Sequence, residues 1–310
     1  MATKTIVVGH KNPDTDSVLS AILVSKFSKK ILGFESESRI AGDVNSETKY
    51  ILNLVKIQKP ELIKKITTEN VVLVDTTEPG QIVEGLTEDN LVGIIDHHNL
   101  GGLKSSGAIY VRTENIGCVC SLIYKILKEK GVKVDKSSAI MMMSGIISDT
   151  LNLTSPTTTT YDKVFLRELA KTAKVDLKKF VSELFEAKSS LKGISLDRVV
   201  ECDYKEFEMG GKKVGIGVWE TTNPDSVNAS APKIMKILED KKTKDGLDYI
   251  LFGVVDIMKN NTFCYIISEA EEKLMNDVFG AATKENMVFL KGVVSRKKQI
   301  VPQLMSHFTK

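Results

Sequence analysis

Short runs of consecutive apolar residues alternate with segments of helical spacing in the first half of the chain, and this alternation restricts the fold more than any other feature. The runs KTIVVG, NVVLVD and LVGIID predict buried strands. Strands that alternate with helices are typical of a mostly parallel sheet covered by helices, so we predict an α/β first domain of that kind. The predicted helices cover residues 16–31, 117–131, 137–150 and 157–188.

The order of elements changes around residues 188–195, and the chain of 310 residues is longer than a single core usually is. Residues 199–219 predict a hairpin that turns at Gly210-Gly211, and residues 249–268 predict a second one that turns at Asn260-Asn261. We therefore predict a smaller, mixed-sheet α/β second domain. The predicted division is a first domain at 1–188, a linker at 189–195 and a second domain at 196–310.

Charge and cysteine usage exclude several classes of protein. The formal net charge is only +3, which argues against the one-sided basic surface of a nucleic-acid binder. The four cysteines have neither the paired spacing of a zinc ribbon nor the pattern of a secreted disulfide framework. We find no signal peptide and no segment apolar enough to span a bilayer. We expect a soluble, cytoplasmic protein with reduced thiols and no membrane partner.

Histidines and aspartates gather directly after the predicted strands. Three of the four histidines, at positions 10, 97 and 98, stand beside aspartates there. Ligands in open α/β sheets collect at the carboxyl ends of strands. Imidazole nitrogens together with carboxylate oxygens suit Mn²⁺, Co²⁺ or Zn²⁺ better than Mg²⁺. The aspartates that complete this set are Asp14, Asp16, Asp75, Asp96 and Asp149.

Each aspartate also has a purely structural interpretation. Asp14 or Thr15 could cap the following helix, Asp75 could belong to turn chemistry, and Asp149 could be another cap. The DHH sequence at 96–98 is different, because a carboxylate and two imidazoles at one strand end of a histidine-poor chain favour a functional site. Taken together, the cluster favours a metal site.

The segments GHKNPDTDS, VDTTEPGQ, IDHHN and SDT follow, in order, the motifs of the DHH phosphoesterase superfamily. In addition, DYKEF at 203–207 and SRKKQIVP at 295–302 resemble the second-domain motifs of the family II, manganese-dependent inorganic pyrophosphatases. The resemblance covers nearly the whole chain. It implies hydrolysis of pyrophosphate to two phosphates by a metal-bridged hydroxide, in a cleft between the two domains.

The resemblance also implies residue roles and a cofactor. It implies two Mn²⁺ per subunit, with Co²⁺ as a possible substitute and further Mg²⁺ or Mn²⁺ arriving with the substrate, and a homodimer formed through first-domain strands. Asp75 would bridge the two ions, and Asp96 would orient a histidine. By this resemblance, one metal would be held by His10, Asp14 and Asp75, and the second by Asp16, Asp75, His97 and Asp149.

Substrate would be held by cationic and imidazole groups, since pyrophosphate brings several charges and no apolar surface. By resemblance, His98 would contact the leaving phosphate, while Lys205, Arg296 and Lys297 of the second domain would bind phosphate oxygens. SRKKQ could instead be a solvated charge run at a helix start. The chain departs from the family after Asp75, where Thr76-Thr77 replaces the His-Asn of many members, and this affects the surroundings of the metal ligands.

Two other function classes stay open. A nuclease or oligonucleotide phosphatase of the same superfamily would share the metal site, but it would carry a glycine-rich, histidine-containing motif in its second domain, and we find none here. A binding protein that has lost catalysis is the other alternative. The presence of every proposed ligand argues against it.

Overall fold

The computed structural model describes residues 3–189, 191 and 194–309. The chain divides into two compact units, residues 1–187 and 188–310. Residues 190, 192 and 193 of the predicted linker 189–195 lie outside the described residues, so the proposed domain boundaries stay a prediction. Among the described residues, no helix has both the length and the apolar character that crossing a membrane requires.

The first unit is built on a six-stranded sheet in which every strand pairing is parallel. The prediction of a mostly parallel sheet flanked by helices is confirmed. The strands are β1 (Thr5–Val8), β2 (Glu37–Ile40), β3 (Glu61–Leu62), β4 (Asn70–Val74), β5 (Leu91–Asp96) and β6 (Tyr110–Thr113), and their order in the sheet is β3-β2-β1-β4-β5-β6. The helices are α1 (Thr15–Lys26), α2 (Ser28–Ile31), α3 (Ser46–Val55), α4 (Val119–Glu129), α5 (Lys136–Thr150), α6 (Thr160–Ala173) and α7 (Leu177–Ser189).

The three apolar runs form adjacent strands in the middle of this sheet. β1, β4 and β5 are almost entirely buried, because helices cover the sheet and water reaches neither face of these strands. All three run in the same direction, so their carboxyl ends lie at one edge. The residues that follow β1 and β4 and those at the end of β5 are therefore brought together.

The predicted helices are present, with two interruptions. The helix predicted at 16–31 is divided at Phe27, whose backbone (φ −105°, ψ 16°) separates α1 from α2. The segment 157–188 forms α6 and α7, because Lys174 takes a left-handed conformation with φ 53° and ends α6. α1 and α5 pack against each other and are buried along most of their length.

The second unit contains a six-stranded mixed sheet, as predicted. Its strands are β7 (Tyr204–Met209), β8 (Lys212–Thr221), β9 (Tyr249–Asp256), β10 (Asn261–Tyr265), β11 (Thr283–Lys284) and β12 (Met287–Lys291), in the order β11-β12-β10-β9-β8-β7. β8 and β9 are parallel, and the other pairings are antiparallel. Its helices are α8 (Leu196–Glu201), α9 (Pro224–Asn228), α10 (Ala231–Lys244), α11 (Glu269–Phe279) and α12 (Val301–Phe308).

The two predicted hairpins exist with altered limits. The first turns at Gly210-Gly211, where φ values of 55° and 76° suit glycine, but it begins at Tyr204, since α8 occupies most of the preceding residues. In the second hairpin, Asn261 pairs with Asp256 and is the first residue of β10. The turn therefore covers 257–260, and the expectation that Asn261 is a turn residue was wrong.

Candidate metal centre

The side chain of Asp75 lies at the middle of the histidine and aspartate cluster, directly after β4. Its Oδ2 is 3.3 Å from Nε2 of His10, and its Oδ1 is 3.3 Å from Nε2 of His97. One carboxylate therefore presents one oxygen to each of two histidines. Asp75 is buried and has a φ of 59°, a left-handed conformation that few residues other than glycine adopt. A left-handed residue can simply end a helix, as Lys174 does, but Asp75 ends none and follows a strand at the ligand cluster.

The two histidines are oriented by backbone carbonyl groups. Nδ1 of His10 lies 2.7 Å from the carbonyl oxygen of Lys11, and Nδ1 of His97 lies 3.0 Å from that of Ile116. A carbonyl oxygen only accepts, so in each neutral ring the proton sits on Nδ1 and the lone pair sits on Nε2. Both lone pairs are thus on the nitrogens that lie near Asp75. Metal-binding histidines in proteins are held in the same way.

Asp14 acts as a helix cap and also belongs to the cluster. Its Oδ1 accepts a hydrogen bond of 2.9 Å from the amide of Ser17, which caps α1. Its Oδ2 lies 3.5 Å from Nε2 of His10. The structural and functional interpretations of Asp14 therefore involve different oxygens and do not compete. His10, Asp14 and Asp75 can offer ligand atoms that all lie within 4.8 Å of one another.

Asp16 and Asp149 form a second group with His97, whose possible ligand atoms also lie within 4.8 Å of one another. Asp16 is fully buried and accepts hydrogen bonds from the amides of Val119 (2.7 Å) and Cys120 (2.9 Å) at the start of α4. Asp149 lies in the last turn of α5, with Oδ2 3.5 Å from Nε2 of His97. A carboxylate at this end of a helix is disfavoured by the helix dipole, and Asp149 caps no following helix.

The electrostatics of the pocket favour a cation. Burial, followed by the charge of Asp75, raises the pKa of Asp16 from 3.8 to about 7. Burial also raises the pKa of Asp75, but hydrogen bonds from His10 and His97, in the metal-free chain with both rings protonated at Nε2, outweigh burial and hold that pKa well below 3.8. The carboxylates repel one another, and a divalent cation among them would relieve this repulsion.

The distances between donor atoms also fit a metal ion. Two atoms that each lie about 2.1 Å from one ion, at angles of about 90 to 110°, are about 3.0 to 3.4 Å apart. The four contacts between an imidazole Nε2 and a carboxylate oxygen measure 3.3 to 3.5 Å. The residues present thus match the mixed nitrogen and oxygen set that Mn²⁺ or Co²⁺ takes.

His98 differs from the other two histidines, although it also groups with Asp75 and His97. Its Nδ1 lies 2.8 Å from Oδ1 of Asp96, and the same oxygen accepts from the amides of His97 and His98. Burial raises the pKa of Asp96, but the hydrogen bond and charge of His98 outweigh burial and lower it. Asp96 therefore orients the half-buried ring of His98 through Nδ1.

Thr77 joins the loop after β4 to the loop after β5, while Thr76 makes a hydrogen bond within the first of these loops. The hydroxyl of Thr77 donates to the carbonyl oxygen of Asn99 (2.9 Å) and accepts from the amide of Gly101 (2.9 Å). The hydroxyl of Thr76 accepts from the amide of Glu78 at 3.3 Å. Both threonines are buried, so the departure from the family pattern provides hydrogen bonds between loops and adds no charge.

The predicted substrate cations all lie in the second unit. Lys205 is on β7, opposite Ile216 of β8, while Arg296 and Lys297 begin a π-helical turn, Arg296–Ile300, that leads into α12. The guanidinium of Arg296 donates to the carbonyl oxygen of Asp203 (2.6 Å), to its Oδ1 (2.6 Å) and to the carbonyl oxygen of Ile216 (3.3 Å). Arg296 is thus held beside the strand pair that carries Lys205. Turns of the π type occur often at functional sites.

The sequence analysis did not identify Gly145 of α5. A Cβ atom at this position would lie 2.5 Å from Sγ of Cys120 and 2.7 Å from Oδ1 of Asp16. Only glycine therefore lets α5 approach Asp16 and α4 so closely. A single glycine inside the apolar run AIMMMSGII was the available signal. The contact of His97 with the carbonyl of Ile116 could not be predicted from the sequence, because every residue has a backbone carbonyl group.

Comparisons with known proteins agree with this geometry. The chain matches the family model for the DHH family, N-terminal domain, over residues 4–146 and that for the DHHA2 domain over residues 182–307. It is 36% identical over 301 residues to a probable manganese-dependent inorganic pyrophosphatase of Clostridium acetobutylicum, covering 97% of this chain and 96% of that one. A protein of the same description from Bacillus cereus is 37% identical over 307 residues, covering 98% of this chain and 99% of that one.

Solved structures extend the comparison. The crystal structure of a Methanococcus jannaschii protein assigned as a family II inorganic pyrophosphatase matches with a TM-score of 0.89 and 34% identity, covering 99% of this chain and 100% of that one. An exopolyphosphatase-related protein from Bacteroides fragilis matches with a TM-score of 0.52 and 13% identity, covering 98% and 92%. The second likeness concerns the fold alone.

Proposed function

This chain belongs to the family II, manganese-dependent inorganic pyrophosphatases of the DHH superfamily, and on that premise we propose that it hydrolyses inorganic pyrophosphate to two phosphates. The observation that carries the proposal is the position of Asp75, whose two oxygens each lie 3.3 Å from a different histidine. A carboxylate arranged in this way can bridge two cations. Pairs of cations are a common means of cleaving phosphate esters and anhydrides.

We propose that the pocket holds two Mn²⁺ per chain and that Co²⁺ can replace them. When bound, such ions would lower the pKa of a water molecule and neutralise charge on the attacked phosphoryl group. The protein's part is to hold its imidazole lone pairs and carboxylates in place, through the carbonyl groups of Lys11 and Ile116 and the amides at the start of α4. The proposed ligands are His10, Asp14 and Asp75 for one ion and Asp16, Asp75, His97 and Asp149 for the other.

Proton transfer to the leaving phosphate is assigned to Nε2 of His98. The contact of Nδ1 with Asp96 holds this ring beside Asp75, whose Oδ1 lies 3.6 Å from the same nitrogen. A proton held at Nε2 can then hydrogen-bond a phosphate oxygen and pass to it as negative charge develops there. His98 is therefore the residue proposed to serve both substrate binding and catalysis.

The cations of the second unit are proposed to bind the remaining phosphate oxygens. Arg296 uses three donor contacts on Asp203 and Ile216, and a guanidinium has five N–H groups, so donors remain for a phosphoryl group. Lys205 and Lys297 contribute point charges. A homodimer, an active site formed by both units and additional substrate-borne Mg²⁺ or Mn²⁺ stay expectations from the family.

Phosphate release from pyrophosphate, tripolyphosphate and a short oligonucleotide tests the proposal. Metal-free protein is reconstituted with limiting Mn²⁺, Co²⁺ or Mg²⁺ before each assay. We expect rapid release from pyrophosphate, with Mn²⁺ or Co²⁺ much more effective than Mg²⁺, because imidazole ligands favour the later transition metals. Release from the oligonucleotide in place of pyrophosphate, or equal activity with limiting Mg²⁺, would contradict it.

A further inference from the structure

Glu47 is a buried acid that lies outside the proposed ligand set. It occupies the first turn of α3 and is 1% exposed. Helix α3 packs against both α1 and α5, which carry Asp16 and Asp149. A buried carboxyl group is costly unless hydrogen bonds compensate it, so its contacts indicate its role.

Two hydroxyl groups that compensate Glu47 come from residues adjacent to proposed metal ligands. Oε2 of Glu47 accepts a hydrogen bond of 2.6 Å from the hydroxyl of Thr15 and another of 2.6 Å from the hydroxyl of Ser148. Thr15 stands between Asp14 and Asp16, and Ser148 directly precedes Asp149. A single oxygen atom therefore joins the first turn of α1 to the last turn of α5.

A further hydroxyl group fixes Thr15. Its hydroxyl lies 3.1 Å from that of Thr48, in the same turn of α3 as Glu47. Since the Thr15 hydroxyl donates its proton to Glu47, the Thr48 hydroxyl is the donor in this contact. The start of α3 also favours an acid, because the positive end of the helix dipole lies there. The network ties α1, α3 and α5 together beside the ligand cluster.

We propose that Glu47 is a positioning residue for the metal ion assigned to Asp16, His97 and Asp149. It acts through Thr15 and Ser148 and sets the separation between the carboxylates of Asp16 and Asp149. The inference rests on the proposed function. Hydrogen-bonding groups behind metal ligands typically change affinity 10- to 100-fold when removed. A purely structural role would change the free energy of unfolding and leave metal affinity unaltered.

Calorimetric titration of metal-free protein with Mn²⁺ tests this inference. We expect Glu47→Ala to weaken binding of one of the two ions by about 10- to 100-fold. Glu47→Gln should recover most of the affinity, because both hydroxyls donate to one oxygen and the amide oxygen of glutamine can take that place. Affinity equal to wild type in folded Glu47→Ala, or a Gln variant as weak as the Ala variant, would overturn the assignment.

Two further variants keep the test decisive. Ser148→Ala removes the hydrogen bond from Ser148 to Glu47 and should lower Mn²⁺ affinity about 2- to 10-fold. This variant tests the role of Glu47 if Glu47→Ala does not fold. Glu271→Ala is the matched control, because Glu271 is a fully buried acid in the first turn of α11 that accepts from the hydroxyl of Ser268 and also pairs with Lys242. It should lower stability without changing Mn²⁺ affinity.

The wild-type titration separates this inference from the proposed function. If the wild-type chain binds fewer than two Mn²⁺, the proposed metal centre fails before Glu47 is considered. If it binds two and Ser148→Ala binds them with unchanged affinity, only the role of the Glu47 network fails.

Discussion

Asp16→Asn should change how the stability of the metal-free protein depends on pH. In the folded chain, burial and the charge of Asp75 raise the pKa of Asp16 from 3.8 to about 7. The folded state therefore holds this proton more tightly than the unfolded state does. Asp16 does not reduce the free energy of unfolding below pH 3.8. The free energy of unfolding falls as the pH rises from 3.8 to about 7, and it stays lowered above that pH. Asparagine does not titrate, so the variant lacks this loss.

The size of this loss of stability follows from the pH range between the unfolded and folded pKa values of Asp16. About two pH units of this range lie between pH 5 and pH 7, and each pH unit lowers the free energy of unfolding by about 1.36 kcal/mol. Between pH 5 and pH 8, Asp16 should therefore lower the free energy of unfolding of the wild-type protein by about 2 to 3 kcal/mol. Asparagine can accept only one of the amide hydrogen bonds from Val119 and Cys120, which costs about 1 to 3 kcal/mol. That cost is the same at both pH values and cancels in the comparison.

Urea unfolding of metal-free protein at pH 5 and pH 8 measures this difference. Far-UV circular dichroism reports both units, while Trp219, the one tryptophan in the sequence, is buried in the second unit and reports that unit separately. Asp14→Asn is the control. Burial and the charge of Asp75 raise the pKa of Asp14, but contacts with His10 outweigh them and lower it below 3.8. Asp14 therefore does not titrate between pH 5 and pH 8. Equal pH dependence in wild type and Asp16→Asn would refute the reasoning.

Two other substitutions test separate parts of the account. Arg296→Ala should lower kcat/KM for pyrophosphate about 10- to 100-fold while the protein still binds two Mn²⁺ per chain, and Arg296→Lys should restore only part of the loss, because the charge returns without the planar fork. Steady-state kinetics measure kcat/KM, and elemental analysis measures the bound Mn²⁺. Normal kcat/KM in the Ala variant would mean that SRKKQ is a solvated charge run. Gly145→Ala should cost about 1 to 3 kcal/mol, because the new Cβ would lie 2.5 Å from Sγ of Cys120. Thermal unfolding with Mn²⁺ titration checks it, and a higher Tm, as expected from helix propensity alone, would contradict it.

The central strands and the gathering of histidines and aspartates could be predicted because their signals are local. Continuous apolar runs mark strands covered on both faces, and the histidines stand beside strand ends in a chain with few other histidines. The peripheral strands lack this signal, since β2 reads ESRI and β3 consists of two exposed residues. The predicted start of the first hairpin, at residue 199, was wrong because composition alone does not distinguish a short buried helix from a strand. Apolar Val199 and Val200 fit a strand by composition, yet they are buried on α8.

The contacts that support the proposed ligands could not be predicted, because they depend on tertiary packing. Glu47 and Ser148 are 101 positions apart, and no pattern in the sequence joins them. The π-helical turn at Arg296–Ile300 likewise has no sequence signature comparable to an apolar period. For Asp14, the sequence posed a choice between cap and ligand, and the structure shows that separate oxygens can serve each purpose.

Electron paramagnetic resonance of protein loaded with two equivalents of Mn²⁺ tests the central claim most directly. If Asp75 bridges two ions, the spectrum should show a spin-coupled Mn²⁺ pair in the wild-type protein, and Asp75→Asn should show only isolated ions or lose one of them. Circular dichroism confirms that the variant is folded. Isolated Mn²⁺ signals in the wild type, or a coupled pair that persists in Asp75→Asn, would contradict a centre bridged by Asp75.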